Sequence, residues 1–350
     1  MEEAFGGKVR AAGSADGVTI AYLDCPPNAA KEPRQDPAPT VVLLHGFPHF
    51  HYTWHRQIPV LQEAGWRVLA PDMRGFGASS APVGAQHYAP EPITGDIVAV
   101  LDDAGIGADE KVVLCGFDFG AGAAYDFCHL LPERVGAVIG FENPFVAALG
   151  DRPPSETFAE MADKHFFHMD YFQHPGRAEA SMDAHVRTFL QRVFWALSAD
   201  YHYLDVWMHP PGTAYIDALP EAPPLPWPWL SVAEMDRYEN EFARTGFTGP
   251  LQWYRAIDAQ WAARKAFERA TNPVPFYFLY SEHDPDLEGF HGREPLKKLD
   301  RFHDVVRAVR TVGRAGHLMH LEATADLNRE LLWCLGDIRD AELLGGSGPR

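Results

Sequence analysis

Short apolar runs alternate with amphipathic stretches through residues 1–145, and this pattern restricts the fold more than any other feature of the chain. The runs TIAYLD, TVVLL, WRVLAP, KVVLC and VGAVIGF each have the length of one buried strand. The stretch ITGDIVAVLDDAG between two of them has the spacing of a helix with one apolar face. Such alternation predicts βαβ units and an α/β fold with a mostly parallel central sheet and flanking helices.

The pattern changes at residue 146, where aromatic and proline-rich helical stretches replace the strands for more than 100 residues. Strand patterns return at VPFYFLY and DVVRAVRTV, before the amphipathic stretch LEATADLNRELLWCLGDI. We therefore predict a core formed by residues 1–145 and 263–350, with a helical cap at residues 146–262. One large core with an inserted cap suits a chain of 350 residues.

Charge and composition exclude several classes of protein. A net charge of -18 would repel phosphate backbones and anionic lipid, so no nucleic acid or membrane partner is expected. The chain starts without the basic and apolar regions of a signal peptide and has no run of about 20 apolar residues, which predicts a cytoplasmic protein. Four scattered cysteines without a C-x-x-C pair predict reduced core residues. No histidine spacing indicates a metal, and no cofactor is expected.

The turn GFDFGA, residues 116–121, directly follows the run KVVLC. Small residues on both sides of its centre allow a sharp turn from a strand into a helix. The central position of such a turn usually carries a nucleophilic serine, in the pattern G-x-S-x-G. Here it carries Asp118, which is either a carboxylate nucleophile at the carboxyl edge of the sheet or an ordinary helix cap.

Three further segments supply chemical partners for Asp118. In HGFP, after the run TVVLL, the backbone N–H of Phe47 joins that of Phe119 as a candidate oxyanion hole. Asp284 follows the strand VPFYFLY, and His317 follows the last strand pattern, so these two are the candidate orienting acid and base. The chain order of nucleophile, acid and histidine fits a triad of this kind.

Other residues compete for the acid and base roles. Asp286 lies two positions after Asp284, and Asp304 lies further along the chain. His320 is the corresponding rival of His317. The residues alone leave these choices open; the resemblance of the motifs to a known family favours Asp284, in SEHD, and His317, in the pair Gly316–His317.

These motifs together resemble the α/β-hydrolase superfamily over residues 15–340. The segment PDMRGFGASSAP, residues 71–82, is similar to that family's D-x-R-G-x-G-x-S pattern. An aspartate at the turn, HGFP and the cap segment GPLQWYR resemble the epoxide hydrolases in particular. The resemblance implies a cofactor-independent enzyme that converts an epoxide to a vicinal diol through an alkyl ester on the aspartate.

The resemblance also implies two cap tyrosines that hydrogen-bond to the epoxide oxygen. Tyr254, in GPLQWYR, matches one of them. The other would lie four residues before Phe172 in DYFQHPG, and that position is His168. His168 could donate instead, more strongly as an imidazolium and with a lower pH optimum. Tyr171, one helical turn away, is the other candidate for this role.

Aromatic residues around these positions indicate an apolar pocket for a hydrophobic epoxide. We expect Phe167, Tyr171 and Trp253 to contact the substrate, and Phe166 and Trp195 to contribute to the same pocket. The expected partner is a small hydrophobic molecule, and a homodimer is left open.

Alternative functions share parts of this site. Haloalkane dehalogenases use the same aspartyl ester, but they hold the halide with side-chain donors at positions where this chain has Phe47 and Phe119. Fluoroacetate dehalogenases carry arginines after the nucleophile, where this chain has Phe119 and Gly122, although their cap histidine resembles His168. A small-molecule receptor, or an enzyme that opens epoxides intramolecularly, also remains open.

Overall fold

A computed structural model describes residues 6–28, 38–145, 150–291 and 294–345. Within these ranges eight strands form one sheet. The strands are β1 (Lys8–Gly13), β2 (Thr19–Cys25), β3 (Thr40–Leu44), β4 (Arg67–Pro71), β5 (Val112–Phe117), β6 (Val135–Phe141), β7 (Phe276–Tyr280) and β8 (Val306–Thr311).

The sheet order is β1-β2-β4-β3-β5-β6-β7-β8. Strands β3 to β8 pair in parallel, and β1 and β2 form an antiparallel hairpin that joins the edge of β4. The predicted mostly parallel sheet is therefore confirmed. The run TIAYLD is antiparallel, however, because its tight turn pairs it with β1, which the sequence pattern did not predict.

Fourteen α-helices lie in the described ranges. Those before β6 are α1 (Ile58–Glu63), α2 (Pro90–Asp103) and α3 (Phe119–Leu130). Those between β6 and β7 are α4 (Pro154–Ala162), α5 (His168–Tyr171), α6 (Arg177–Ala184), α7 (Val186–Leu197), α8 (Tyr215–Ala218), α9 (Val232–Thr245), α10 (Thr248–Arg255) and α11 (Ile257–Arg264). Those after β7 are α12 (Pro285–Gly289), α13 (Met319–Glu322) and α14 (Thr324–Asp340). Short 3-10 helices occupy His51–Trp54, Ala85–Tyr88, Pro132–Arg134, Tyr203–Met208, Lys265–Phe267 and Pro295–Arg301.

Apolar side chains cover both faces of the sheet, as expected for parallel strands that are buried on two sides. Val42 and Leu44 of β3 point into one hydrophobic cluster, whereas Val41 and Leu43 point into the other. The first cluster also contains the buried aromatic residues of helices α5 to α10. One core therefore extends from the sheet into the helices between β6 and β7.

Helix α10 is attached closely to the first half of the chain. The backbones of Gly75 and Gly249 pass so close that a Cβ atom on either would overlap the other residue. The indole N–H of Trp253 donates to the carbonyl of Arg74 over 2.8 Å. Because α10 also carries Tyr254, these contacts fix that side chain relative to the sheet.

The predicted division of the chain remains our interpretation. The helices between β6 and β7 start at Pro154 and end, with a short 3-10 helix, at Phe267. The predicted boundary between residues 145 and 146 lies at the edge of a stretch outside the described ranges. All four cysteines are buried and unpaired. In the described ranges, no helix combines the length and apolar character that crossing a bilayer requires.

Candidate active site

Asp118 lies at a sharp turn between β5 and α3. Its φ of 52° and ψ of -127° are rare for a residue with a side chain. The glycine at position 120 makes the turn possible, since a Cβ atom there would overlap the Leu44 carbonyl on the adjacent strand. The strained backbone directs the Asp118 side chain into a cavity at the carboxyl edge of the sheet.

The two backbone N–H groups of the predicted oxyanion hole contact Asp118. Phe47 N donates to Oδ1 over 2.7 Å, and the backbone N–H of Phe119 also bonds to the carboxyl group. Gly46 lets this loop approach, because a Cβ there would overlap the carboxyl group. Burial raises the pKa of Asp118, although His317 and the two N–H groups oppose this effect. Oδ1 is thus held in the hole, and Oδ2 lies 3.9 Å from Nε2 of His317.

His317 lies in the loop after β8 and is held on its other side by Asp284. Its Nδ1 donates to Oδ1 of Asp284 over 3.2 Å. Its backbone N–H bonds to the carbonyl of Leu197 at the end of α7, so the cap helps to position the imidazole. Burial lowers the pKa of His317, but nearby carboxyl groups, led by Glu142, outweigh burial and raise it well above its usual value.

The rival residues lie elsewhere or act differently. Asp304 bonds to Thr271 at the surface, and His320 bonds to Thr53 in the core below the site. Asp286 does line the cavity beside Asp118 and His317. Burial raises the pKa of Asp286 to about 7.

Glu142 is a residue of the site that sequence analysis missed. It follows β6 directly, and its Oε2 lies 3.1 Å from Nδ1 of His317. Glu142 is completely buried, and its φ of 66° is unusual for this residue type. The rule that selected Asp284, an acid at the carboxyl end of a parallel strand, would also have found Glu142.

The cavity has a volume of about 220 Å³ and is lined by both aromatic and polar residues. Its aromatic residues are Phe47, Tyr88, Phe119, Tyr203, Tyr215, Trp253, Tyr254 and Phe290. Its polar residues include Asp126, Asn143, Gln260, Arg264 and Asp286. The charges of Asp126 and Arg264 neutralise each other in a bidentate pair with distances of 2.8 and 2.9 Å.

Tyr254 lines the same cavity as Asp118. Its ring packs against Phe119, with 4.8 Å between centroids, and against Phe47 at 5.4 Å. Its hydroxyl has no hydrogen-bond partner in the described part of the chain. Burial and the nearby Asp118 raise its pKa well above the usual value, so Tyr254 stays protonated as a donor.

His168 also lines the cavity, with its ring centroid 6.5 Å from that of Tyr254. The indole N–H of Trp207 donates to its Nδ1 over 3.1 Å, and the hydroxyl of Tyr203 lies 3.3 Å from the same atom. Since an indole N–H can only donate, Nδ1 is an acceptor and the ring proton belongs on Nε2. Burial lowers the pKa of His168 to about 3. The expectation of an imidazolium donor with a lower pH optimum is therefore wrong.

The structure corrects the expected contacts of Phe167 and Tyr171. Neither is among the described residues that line the cavity. Phe167 packs against Trp207 and against Phe290, which itself lines the cavity. The Tyr171 hydroxyl donates to the carbonyl of Arg177. Trp253 lines the cavity as expected, whereas Phe166 and Trp195 are likewise absent from its described wall.

Two groups of side chains bring donor atoms within 4.8 Å of one another, as metal ligands do. They are Asp118, Asp286 and His317, and Glu142, Asp284 and His317. An ion in the second group would displace the Nδ1 proton that Asp284 accepts. We interpret both groups as hydrogen-bonding and proton-transfer partners rather than as metal ligands.

Comparisons with known proteins show the family to which the chain belongs. A family model described as the alpha/beta hydrolase fold matches residues 39–324. Epoxide hydrolase A of Mycobacterium tuberculosis is 36% identical over 301 residues, which cover 84% of this chain and 89% of the relative. Epoxide hydrolase 3 of Siraitia grosvenorii is 35% identical over 252 residues, covering 70% and 75%.

Solved structures give the same result. Epoxide hydrolase A from Mycobacterium thermoresistibile has a TM-score of 0.83 at 35% identity and covers 94% of this chain and 98% of its own. An epoxide hydrolase from an endophytic Streptomyces has a TM-score of 0.86 at 29% identity, covering 96% and 97%. The chain belongs to the α/β-hydrolase superfamily. Within it, the chain belongs to the epoxide hydrolase-like branch.

Proposed function

We propose that this protein hydrolyses a hydrophobic epoxide to a vicinal diol through an alkyl ester on Asp118. The observation that carries the proposal is that Asp118 and two donors, Tyr254 and His168, line one cavity. Ring opening needs a carboxylate together with hydroxyl or imidazole N–H donors at the same site. The epoxide hydrolases among the relatives support the same reaction class.

In the first step, Oδ2 of Asp118 attacks a ring carbon, because Oδ1 is occupied by the backbone N–H of Phe47. The carbon–oxygen bond of the epoxide breaks as the ester bond forms. Hydrogen bonds from the Tyr254 hydroxyl and from Nε2–H of His168 stabilise the oxygen that leaves the ring. Tyr254 then supplies the proton, and the product of this step is a hydroxyalkyl ester of the enzyme.

In the second step, His317 removes a proton from water, and the oxygen attacks the carbonyl carbon of the Asp118 ester. The oxyanion of the tetrahedral intermediate is held by the N–H groups of Phe47 and Phe119. Asp284 stabilises the imidazolium that forms. When the ester bond to the substrate breaks, the imidazolium of His317 gives its proton to the departing alkoxide, which releases the diol. The carboxylic acid left on Asp118 then returns a proton to the Tyr254 phenolate, so that the carboxylate and the phenol are both restored.

A dehalogenase would need Tyr254 or His168 of the cap to hold the halide, because the tryptophan and backbone donors near Asp118 are already engaged. The indole N–H of Trp253 is committed to the Arg74 carbonyl, and that of Trp207 is committed to His168. Phe47 and Phe119 offer only their backbone N–H groups, which the carboxyl group uses. These commitments favour the epoxide over an organohalide.

The cavity wall supports a substrate with an apolar body, since many aromatic and aliphatic side chains line the cavity with Tyr254 and Asp118. The volume of about 220 Å³ suits a small molecule. The cytoplasmic location stays a prediction, and so does a function without a cofactor, a metal, a nucleic acid or a membrane partner. The homodimer also stays open.

Intact-protein mass spectrometry of His317→Ala with a panel of epoxides and organohalides tests the proposal. Without the base, alkylation of Asp118 can proceed and the ester accumulates. A mass gain equal to a whole epoxide is expected. A gain equal to an alkyl halide minus HX would assign the protein to the dehalogenases. No adduct with any compound would favour a receptor or a cyclising enzyme.

A further inference from the structure

Glu142 occupies a position where an ionised carboxylate would be poorly accommodated. It follows β6 directly, between the strands that precede Asp118 and Asp284, and it is completely buried. Its left-handed backbone conformation, with φ of 66°, is sparsely populated by residues other than glycine and asparagine. The proposed reaction steps do not use Glu142, so its presence beside His317 needs a separate explanation.

Two carboxyl groups lie beside one imidazole nitrogen. Oε2 of Glu142 is 3.1 Å from Nδ1 of His317, and Oδ1 of Asp284 is 3.2 Å from the same atom. Nδ1 carries one proton, and the hydrogen-bond geometry directs that proton to Asp284. Glu142 is close to the nitrogen but is not aligned to accept its proton.

The hydrogen-bond donors nearby favour Asp284, rather than Glu142, as the ionised carboxyl group. Asp284 also accepts the backbone N–H of Asp286 over 2.9 Å. Neither carboxyl oxygen of Glu142 has a hydrogen-bond donor in the described part of the chain, and neither does Oδ2 of Asp284. A buried carboxylate without a donor is costly, and a second negative charge next to it adds repulsion. A proton on Glu142 removes both problems.

That proton also has an acceptor nearby. A carboxyl oxygen of Glu142 lies within 4.8 Å of one of Asp284, and Oδ2 of Asp284 has no donor in the described part of the chain. A change of the Glu142 side-chain conformation is therefore what an O–H hydrogen bond to Asp284 requires. The titratable groups that face Glu142 are His317, Asp284, Asp286 and Asp118. Burial raises the pKa of Glu142 well above its usual value, His317 opposes this, and the three aspartates add to it.

We propose that Glu142 is a positioning residue that remains a neutral carboxylic acid, donates its proton to Asp284, and serves as a second acid partner of His317. This inference rests on the proposed function of the same site. A neutral Glu142 removes the carboxylate charge that would otherwise favour the imidazolium most. His317 then remains unprotonated and able to act as a base. If a neutral residue replaces Asp284, Glu142 loses its proton to solvent and accepts the Nδ1–H of His317 instead.

Infrared difference spectroscopy tests the protonation state without any substrate. The spectrum of the full-length protein minus that of Glu142→Gln at pH 7 is expected to show the C=O stretch of a protonated carboxylic acid, with a shift in D2O. Glu330→Gln is the matched control, because Glu330 is also buried but is paired with Arg310 and Arg329. Its difference spectrum should show only carboxylate bands. Carboxylate bands alone for Glu142 would overturn the proposal.

Kinetics of Asp284→Asn and of the double substitution with Glu142→Gln test the second part. The rate of ester hydrolysis in Asp284→Asn should increase with pH as Glu142 ionises. In the double variant the rate of ester hydrolysis should no longer increase with pH, and it should be at least about tenfold lower than in Asp284→Asn. Equal rates and equal pH profiles for the two variants, with both shown to be folded by circular dichroism, would overturn the role of Glu142 as a second acid partner of His317.

The two experiments separate the two proposals. If the wild-type protein turns over no epoxide while the infrared band of protonated Glu142 is present, the proposed function fails and the proposal of a neutral Glu142 stands. If epoxide turnover is normal and the band is absent, the proposed function stands and the proposal of a neutral Glu142 fails.

Discussion

The indole N–H of Trp207 donates a hydrogen bond to Nδ1 of His168 over 3.1 Å, and so determines which nitrogen of the imidazole carries the proton. The two residues are 39 positions apart and meet inside the cap. The neutral ring therefore presents Nε2–H as its donor, and Tyr203 lies on the same side as Trp207.

Trp207→Phe should lower the alkylation rate by about tenfold, because the proton of His168 is then free to occupy either nitrogen. The rate of ester hydrolysis should change little. Rapid-mixing fluorescence with an epoxide in single turnover separates the two rates. Trp229→Phe is the matched control, since the indole N–H of Trp229 is also buried but has no hydrogen-bond partner among the described residues, and Trp229 is not among those that line the cavity. Equal losses in both variants would contradict the role of Trp207.

Tyr254→Phe and His168→Phe should each slow alkylation by about 10–100-fold, because each removes one donor to the leaving oxygen. Ester hydrolysis, which depends on His317 and the oxyanion hole, should be affected much less. Single-turnover rates measured as ester accumulation and decay provide the test. If both steps slow equally, these residues only shape the pocket.

Stability in acid should depend on His168. Its pKa is about 3 in the folded protein against 6.5 for the free side chain, so the unfolded chain binds the extra proton between these values. The free energy of unfolding should therefore decrease as the pH falls through this window, by up to about 1.4 kcal/mol per pH unit.

His168→Phe removes this contribution, so its free energy of unfolding should fall less steeply between pH 6.5 and 4 than that of the wild type. Urea unfolding at several pH values measures the difference. Tyr254→Phe is the control, because the pKa of Tyr254 is raised above 10 and does not titrate in acid. A slope for His168→Phe that matches the wild type would show that His168 is already charged in the folded state.

Asp118→Asn should abolish turnover, with a loss of at least about 10⁴-fold, since an amide cannot form the ester intermediate. The same change should stabilise the fold by about 1 kcal/mol, because asparagine avoids a buried charge while its side-chain oxygen can still accept the N–H of Phe47. Thermal unfolding and diol formation are measured on the same sample. Retained diol formation would exclude Asp118 as the nucleophile.

Exhaustive chelation should leave the rate of diol formation unchanged. The donors near His317 are carboxyl groups whose roles here are hydrogen bonding and proton transfer. A loss of activity that returns on adding a divalent ion would contradict this assignment. Thermal unfolding in the same buffers would show whether a lost activity reflects unfolding.

The sequence predicted the parallel sheet because strands buried on both faces read as continuous apolar runs, as in β3, β5 and β6. It missed β1, whose sequence KVRAAG lies largely exposed at the edge of the sheet. The residues proposed as the triad were found for a related reason. Each follows a strand or a glycine turn, so its position along the chain already places it at one edge of the sheet.

Positions in the cap were harder to predict because the packing of its short helices decides which side chains face the cavity. His168 and Tyr171 are one turn apart on α5, yet only His168 lines the cavity. No sequence pattern around Trp207 predicts its role, because its contact with His168 joins parts of the chain that are 39 positions apart. Glu142 was missed although its position at a strand end was visible.

Helix α10 belongs to the cap by its place in the chain, but its contacts at Gly75 and Arg74 make it a fixed part of the core. Tyr254 is thereby attached to the core as well as to the portion of the cap that carries His168, where Gln173 donates to its carbonyl over 2.9 Å. An exchange of α5 and its neighbours to admit a differently shaped molecule should leave the Tyr254 hydroxyl in the cavity, because the contacts of α10 with the core remain. A cap grafted from another enzyme should therefore retain α10 of the recipient.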